Sequence, residues 1–194
     1  ENLTWTLDST GQLTISGTGA MYDYTYEGDK ISSKSTAPWY SYRENIQSVV
    51  LEDGVATIGE CAFYCCSSLD SIPLPDSITS IGANAFSYCE SLSSIAIPDS
   101  VTSIGGAVFA KCTSLSSISI PDSVNGIGEG AFSTCTSLSS ITIPSSVTSI
   151  GDHAFDGCTS LSSISIPGSV TSIGDYAFYY CTKLSSISIP SSVT

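Results

Sequence analysis

Positive charge is scarce in this sequence. Its 194 residues include only five Lys and Arg against 18 Asp and Glu, which gives a formal net charge of −13 at pH 7. A surface of this sign repels the phosphates of nucleic acids and the anionic headgroups of lipids. We therefore expect no nucleic-acid partner and no binding to anionic membrane surfaces.

Long apolar runs are absent, and there is a single histidine. No stretch approaches the roughly 18 consecutive apolar residues of a membrane-spanning helix, so we expect no direct membrane insertion by this chain. His153 is flanked by Asp152 and Asp156, and a Ser-His-Asp arrangement can be written from such residues. The chain lacks the G-x-S-x-G context that would place a serine nucleophile. We predict that the protein is not an enzyme, with no catalytic residues and no cofactor.

What the sequence has in abundance is an internal repeat of 23 residues. Every phenylalanine keeps this period, and so do six of the eight cysteines. A period of this length is typical of solenoids, in which each turn of the chain stacks on the previous turn. The two columns are Phe63, Phe86, Phe109, Phe132, Phe155 and Phe178, and Cys66, Cys89, Cys112, Cys135, Cys158 and Cys181.

One repeat, residues 95–117, indicates how each turn fills the interior. Ile95 and Ile97 alternate with a small residue, which is the pattern of a strand with one buried face. Pro98 ends this strand because proline cannot donate to a ladder. Phe109 then points inward from a short helical or 3-10 turn. We predict a β-rich solenoid with one short parallel strand per repeat on the concave face and short helical or 3-10 turns elsewhere.

The repeated pattern I-x-I-P-x-S-V-T-S-I-G-x-x-A-F-x-x-C-x-S-L-S-S resembles the BspA-like leucine-rich repeat family of bacterial surface proteins. The likeness covers residues 47–194, and residues 3–7, 16–22 and 37–40 resemble the segment that often precedes such repeats. The resemblance implies a right-handed leucine-rich-repeat superhelix and an extracellular or bacterial cell-surface location. It also implies adhesion or host-protein binding, since both occur in the family.

Residues 1–46 lie outside the repeats, and we predict that they form a β-rich capping segment of one continuous structural domain. Residues 4–7 and 13–15, joined by a glycine-bearing turn, are typical of a β-hairpin. Two interpretations of Trp5 and Trp39 stay open. They cover the apolar face that the first repeat exposes, because terminal repeats need caps, or they form an aromatic binding patch.

The repeats, residues 47–194, stop midway through a unit. Ile187, Ile189 and Val193 are then expected on an open face with unpaired strand edges. Either the natural protein continues with more repeats or another domain, or this uncapped rung makes an end-to-end contact with a second copy.

The repeated cysteines favour buried free thiols, because one thiol per turn fits a small buried hydrophobe. Cys61 and Cys65 lie outside that column, and their equivalents in other repeats include Asn84 and Lys111. We therefore predict that this pair lies near the surface, where a disulfide between them stays open. Zinc is not expected, because no second cysteine pair or histidine cluster accompanies them.

A column of aspartates follows the repeated proline. One carboxylate per rung supplies too few oxygens for calcium, which binds about six to eight. We interpret these residues as solvated turn formers and predict no metal site. They are Asp53, Asp76, Asp99 and Asp122.

Surface variation between repeats is concentrated around the phenylalanine turn. The outward strand column is small and hydroxyl-rich, without the aromatic residues or Arg that anchor tight interfaces. Our candidate partner-binding residues are therefore Tyr176, Tyr179 and Tyr180, for which ordinary surface decoration is the alternative. We expect a secreted or cell-surface module that binds a protein or glycan ligand, such as a host extracellular protein. The alternative is a structural spacer that displays another domain of a longer surface protein.

Overall fold

Short strands make up most of the regular structure. The computed structural model describes residues 2–27 and 34–194, and within them the only helix is a 3-10 helix at Tyr40–Asn45. The strands are β1 Asn2–Leu7, β2 Gln12–Ala20, β3 Tyr26–Glu27, β4 Lys34–Ser35, β5 Ser48–Leu51, β6 Val55–Ile58, β7 Ser80–Ile81, β8 Gly126–Ile127, β9 Ser140–Thr142, β10 Ser149–Ile150, β11 Ser163–Ser165 and β12 Ser172–Ile173.

The chain begins with the predicted hairpin. β1 and β2 pair antiparallel with Leu7 opposite Leu13. The Asp8 carboxylate accepts bonds from the backbone N–H groups of Thr10 at 2.8 Å and Gln12 at 3.0 Å, which closes the turn. Gly11 has φ +82°, and a Cβ there would lie 2.4 Å from a backbone oxygen, so the turn requires glycine.

The hairpin joins the repeats through β2. This strand pairs in parallel with β5, with Leu13 beside Val49 and Ile15 beside Leu51. Its other end pairs with β6 across an irregularity at Gly19 and Ala20. β2 therefore supplies an additional rung below the first repeat, and its buried face continues the apolar interior.

Parallel pairing joins equivalent residues of successive repeats along two sides of each turn. On one side, β8, β10 and β12 form a ladder with Ile127, Ile150 and Ile173 in register. On the other side, β9 pairs with β11, and bridges join Ala96 to Ser119 and Ser119 to Thr142. We had expected one strand per repeat. The second ladder arises because the chain is also extended where it returns after the repeated proline.

The phenylalanine turn has its own hydrogen-bond pattern. In one repeat, Ala85 and Ser87 donate to carbonyls three residues earlier, as in a 3-10 turn. Asn84, Phe86 and Tyr88 donate instead to the next repeat, at 3.0, 2.9 and 2.8 Å. The backbone N–H groups thus alternate between closing the turn and joining it to its neighbour, which leaves few of them to form a continuous helix.

This alternation requires a left-handed backbone twice in each turn. The positive-φ positions lie four residues apart, at Asn84 (φ 56°) and Tyr88 (φ 63°) in one repeat and His153 (φ 54°) and Gly157 (φ 73°) in another. The same two columns contain Cys61, Cys65, Ala107, Lys111, Gly130, Thr134, Tyr176 and Tyr180.

Stacked phenylalanine rings run through the interior. Adjacent ring centroids are 5.4 to 5.6 Å apart from Phe63 to Phe178, with interplanar angles of 15° or less. Phe109 is fully buried, with a relative exposure of 0%. Offset stacking of this kind is favourable beyond the burial of apolar area.

The repeated cysteines lie beside these rings as free thiols, as predicted. Five of the six point toward a phenylalanine carbonyl 26 residues earlier, for example Cys112 Sγ at 3.2 Å from Phe86 O. Burial raises the pKa of Cys112 and of Cys158 to about 12. The column therefore consists of protonated weak donors in an apolar core.

The prediction for Cys61 was wrong. Its relative exposure is 0%, whereas Cys65 is half-buried, and both thiols are free. Cys61 belongs to the first repeat, against which the chain before that repeat packs: Ser35 Oγ donates to the Cys61 carbonyl at 2.9 Å. Burial raises the pKa of Cys61 to about 11. A column that varies between repeats is therefore not necessarily at the surface in each of them.

Candidate partner-binding site

The three candidate tyrosines form one exposed cluster on the last complete phenylalanine turn. Tyr176, Tyr179 and Tyr180 are 61%, 50% and 63% exposed. The Tyr176 and Tyr179 rings meet edge to face at 5.5 Å, and Tyr179 meets Tyr180 at 4.5 Å. We call these three residues the tyrosine cluster.

Backbone geometry holds the cluster outside the core. Tyr176 and Tyr180 occupy the two left-handed positions of their turn, with φ 57° and φ 54°. The inward positions between and beside them are taken by Ala177 and Phe178, which are 4% exposed and half-buried respectively. The turn is fixed to the preceding repeat by bonds to the carbonyls of Asp175 and Tyr179, both at 2.8 Å.

His153 extends the cluster by one repeat. Its ring stacks on Tyr176 with centroids 5.1 Å apart and an interplanar angle of 13°. Its Nδ1 lies 3.1 Å from Asp156 Oδ2, in a hydrogen bond that becomes an ion pair when the imidazole is protonated. The structure thus brings His153 against one of the predicted binding residues.

A groove runs along the same face from the second repeat to His153. Its volume is about 540 Å³. Most of its lining is small, and Asn84, Glu129, His153 and Asp156 supply the larger polar side chains. We call this the turn-face groove; its remaining lining residues are Ala83, Gly106, Ala107, Ala110, Gly130 and Ser133.

Outside this lining, the same repeats carry larger side chains. Lys111 Nζ lies 4.8 Å from the Tyr88 ring centroid, which is a cation–π contact between adjacent repeats. Tyr64 in turn meets Tyr88 at 5.5 Å. The outer face of the phenylalanine turns therefore alternates between aromatic clusters and a small-residue groove.

Aromatic residues of the N-terminal segment line a second concave feature. Trp39 is 2% exposed, stacks on Phe63 at 6.0 Å, and donates its indole N–H to Ala62 O at 2.7 Å. This packing favours the covering interpretation for Trp39, which continues the phenylalanine column. Trp5 meets Trp39 edge-on at 6.1 Å, and both line a cleft of about 310 Å³ together with Tyr22 and Tyr24. Burial raises the pKa of Tyr24 to about 12.

The repeated aspartates are exposed at their turns. In residues 2–27 and 34–194, no group of three or more His, Cys, Asp or Glu side chains is arranged to hold a metal ion. The same residues contain no helix long and apolar enough to span a bilayer.

The BspA type leucine rich repeat region matches residues 36–158 and 102–194, in six copies. These residues make up most of the chain, and the protein belongs to this family. It has the leucine-rich repeat fold, mostly strands with almost no helix among the described residues. Leucine-rich repeat families are generally non-enzymatic scaffolds. No curated protein matches the chain.

Solved bacterial structures support the same assignment. A leucine-rich repeat protein from Bacteroides ovatus matches 100% of this chain at 27% identity with a TM-score of 0.75, and this chain spans 59% of that protein. A leucine rich cell surface protein from Faecalibacterium prausnitzii matches 96% at 33% identity with a TM-score of 0.71, of which this chain spans 52%. A T. pallidum leucine-rich repeat protein matches 94% at 31% identity with a TM-score of 0.71, and 87% of that protein is covered.

Sequence reasoning missed the two left-handed positions and the groove. Asn84, Gly130 and Gly157 were the available signal for the left-handed positions, because Asn and Gly adopt that conformation at least cost. The sequence also contained a signal for the groove. Gly106 is equivalent to Glu60 and Asp152 of other repeats, and Ala110 is equivalent to Tyr64 and Tyr179.

Proposed function

We propose that this chain is a non-enzymatic, secreted or cell-surface repeat module that binds a protein ligand. The observation that carries the proposal is the tyrosine cluster, whose three contiguous rings are 61%, 50% and 63% exposed. Clustered exposed aromatic residues are unusual on a monomer and mark interaction sites. Tyrosine is also enriched among the residues that dominate binding energies. The cell-surface description of the Faecalibacterium relative supports the location.

We further propose that the repeats wind as a right-handed solenoid of 23-residue turns, with residues 1–46 as the cap. Hydroxyl bonds between residues 23 apart, such as Thr148 Oγ1 to Asn125 O at 3.2 Å, support this period. The packing of Trp39 on Phe63 supports the cap. In this arrangement the variable outer face is a continuous surface on a rigid support, which suits recognition of a macromolecule.

Binding to immobilised extracellular-matrix proteins tests the proposal, with the variant Tyr176→Ser/Tyr179→Ser/Tyr180→Ser compared against wild type. We expect at least one matrix protein to bind, and the triple variant to lose affinity by at least about tenfold, since hot-spot residues cost about 2 kcal/mol or more. Tyr42→Ser is the matched control, because Tyr42 is 48% exposed but lies in the capping segment. Equal loss in both variants, or no binding across a broad panel, would contradict the proposal.

A glycan ligand or a spacer role is the second candidate. The strand face favours a spacer, since its outward residues are small and none of them is aromatic. These residues are Ala96, Ser119, Thr142 and Ser165. A glycan array distinguishes a sugar ligand from a protein ligand. A spacer would bind neither, and replacing the repeats by an unrelated rigid segment of equal length would preserve the function of the full-length protein.

A further inference from the structure

We propose that the turn-face groove receives an extended basic peptide segment of the protein partner. This inference rests on the proposed function and names the chemistry of the ligand. Three features of the groove carry it: its length and open floor, its two carboxylates, and the aromatic rings that border its His153 end.

The floor of the groove is open because its glycines have no side chains, and the backbone around them is fixed. An added Cβ at Gly106 would contact only the Glu129 carbonyl, at 3.4 Å, and at Gly130 it would meet nothing closer than 3.9 Å. Three rung spacings of about 5 Å separate the repeats of Ala83 and His153, which gives a length of about 15 Å. An extended chain of about four or five residues spans that length.

The negative charge of the groove favours a cationic ligand. Glu129 and Asp156 line it, and the chain carries a net charge of −13. Within residues 2–27 and 34–194, ion pairs form only between Arg43 and Glu44 and between His153 and Asp156. Glu129 therefore has no cationic partner in the described part of the chain, and an Arg or Lys side chain in the groove would supply one.

The aromatic border favours the same ligand. Tyr176 stacks on His153, and Tyr179 packs against Tyr176, so exposed π faces and edges adjoin the His153 end. The same surface already shows how such a ring holds a cation: Lys111 Nζ lies 4.8 Å above Tyr88. A partner's Lys or Arg can make the equivalent contact with the tyrosine cluster while a neighbouring basic residue meets Asp156.

The repeats themselves provide a variant that fills the groove. Ala110 lines it, and the equivalent residues of other repeats include Tyr64 and Tyr179, so Ala110→Tyr introduces a side chain that this fold accepts. Thr134→Tyr is the matched control. Its column contains Tyr88 and Tyr180, and Thr134 lies outside the groove lining. Neither substitution changes the net charge.

The probe is a fluorescein-labelled peptide of alternating Lys and Gly, seven residues long, with the Glu–Gly and acetyl-Lys–Gly peptides for comparison. Fluorescence anisotropy measures each affinity for the full chain at two salt concentrations. We expect the Lys peptide to bind at least tenfold more tightly than either comparison peptide, with weaker binding at high salt. Ala110→Tyr should weaken this binding at least tenfold, and Thr134→Tyr by less than twofold.

Equal affinities for the Lys and Glu peptides would overturn the proposal, as would equal effects of the two substitutions, which would indicate binding to diffuse surface charge. Binding of neutral oligosaccharides in place of the Lys peptide, with the same sensitivity to Ala110→Tyr, would overturn the peptide assignment in favour of a glycan. If the peptide fails while matrix-protein binding still depends on the tyrosine cluster, only the groove inference falls. If both fail, the proposed function falls with it.

Discussion

Truncation of a phenylalanine inside the stack should cost much more than truncation at its end. Phe109 is fully buried between Phe86 and Phe132, with both ring centroids 5.6 Å away. Phe178 is half-buried and, among the residues that the structure describes, stacks only on Phe155, at 5.4 Å. Phe109→Ala loses two ring contacts and leaves a closed cavity, whereas Phe178→Ala loses one contact at a partly open site.

The magnitudes follow from this difference. A buried Phe→Ala change costs about 3–5 kcal/mol, and each stacked pair contributes about 0.5–1.5 kcal/mol beyond its area. We expect Phe109→Ala to lower the free energy of unfolding by about 4–5 kcal/mol and Phe178→Ala by about 2 kcal/mol. Urea titration followed by far-ultraviolet circular dichroism measures both.

A milder pair of variants keeps the comparison measurable if Phe109→Ala does not fold. Phe109→Leu retains part of the ring volume, and we expect it to cost about 1–3 kcal/mol, still more than Phe178→Leu. Equal losses at the two positions, or a larger loss at Phe178, would refute the reasoning, because stability would then not depend on the number of stacked neighbours.

The remaining predictions concern the other columns. Ser146→Ala should cost about 1–2 kcal/mol, because Ser146 Oγ donates to Val124 O at 2.6 Å; the exposed Ser145→Ala is its control, and equal urea midpoints would contradict the role of the bond. Gly157 has φ 73°, and Gly157→Ala should lower the free energy of unfolding by about 1 kcal/mol. Ala107 has φ 53°, and Ala107→Gly should leave the stability unchanged or raise it. Thermal melts that rank the two variants the other way would contradict the left-handed assignment. Burial raises the pKa of Cys112 from 9.0 to about 12, so its contribution to stability is complete below pH 9 and is lost as the pH rises toward 12. At pH 10 the ionised thiol favours the unfolded chain by roughly 1 kcal/mol. Cys112→Ala should therefore reduce the loss of unfolding free energy between pH 8 and pH 10 by about that amount, and an unchanged loss would show that the thiol ionises as readily in the native state.

The interior was predictable because a period of 23 residues leaves little freedom to apolar positions. Phe109 and Cys112 recur at the same place in every repeat, and the structure buries both fully. The hairpin was also readable, since Asp8 and Gly11 mark its turn locally. The family and the repeat fold followed from these residues without any knowledge of surface contacts.

The outer face was predictable only in part. The tyrosine cluster could be inferred because three tyrosines share one repeat, but its stacking with His153 depends on contact between repeats. Cys61 was misplaced because its column varies between repeats, and the sequence does not indicate that the chain around Ser35 packs over the first of them. The turn-face groove is defined by side chains that are missing, such as at Gly106 and Ala110, and a pattern search that looks for recurring residues passes over such positions.

The alternating hydrogen bonds of the phenylalanine turn have an evolutionary consequence. Backbone hydrogen bonds join one turn to the next there, and the non-glycine side chains at the left-handed positions, apart from the buried Cys61, are at least partly exposed. That is where this chain carries Asn84, Lys111, His153 and Tyr176 in otherwise similar units. A duplicated unit can thus acquire a new recognition residue by a single codon change while its scaffold stays intact, so an array of this kind can diversify its ligands faster than its architecture.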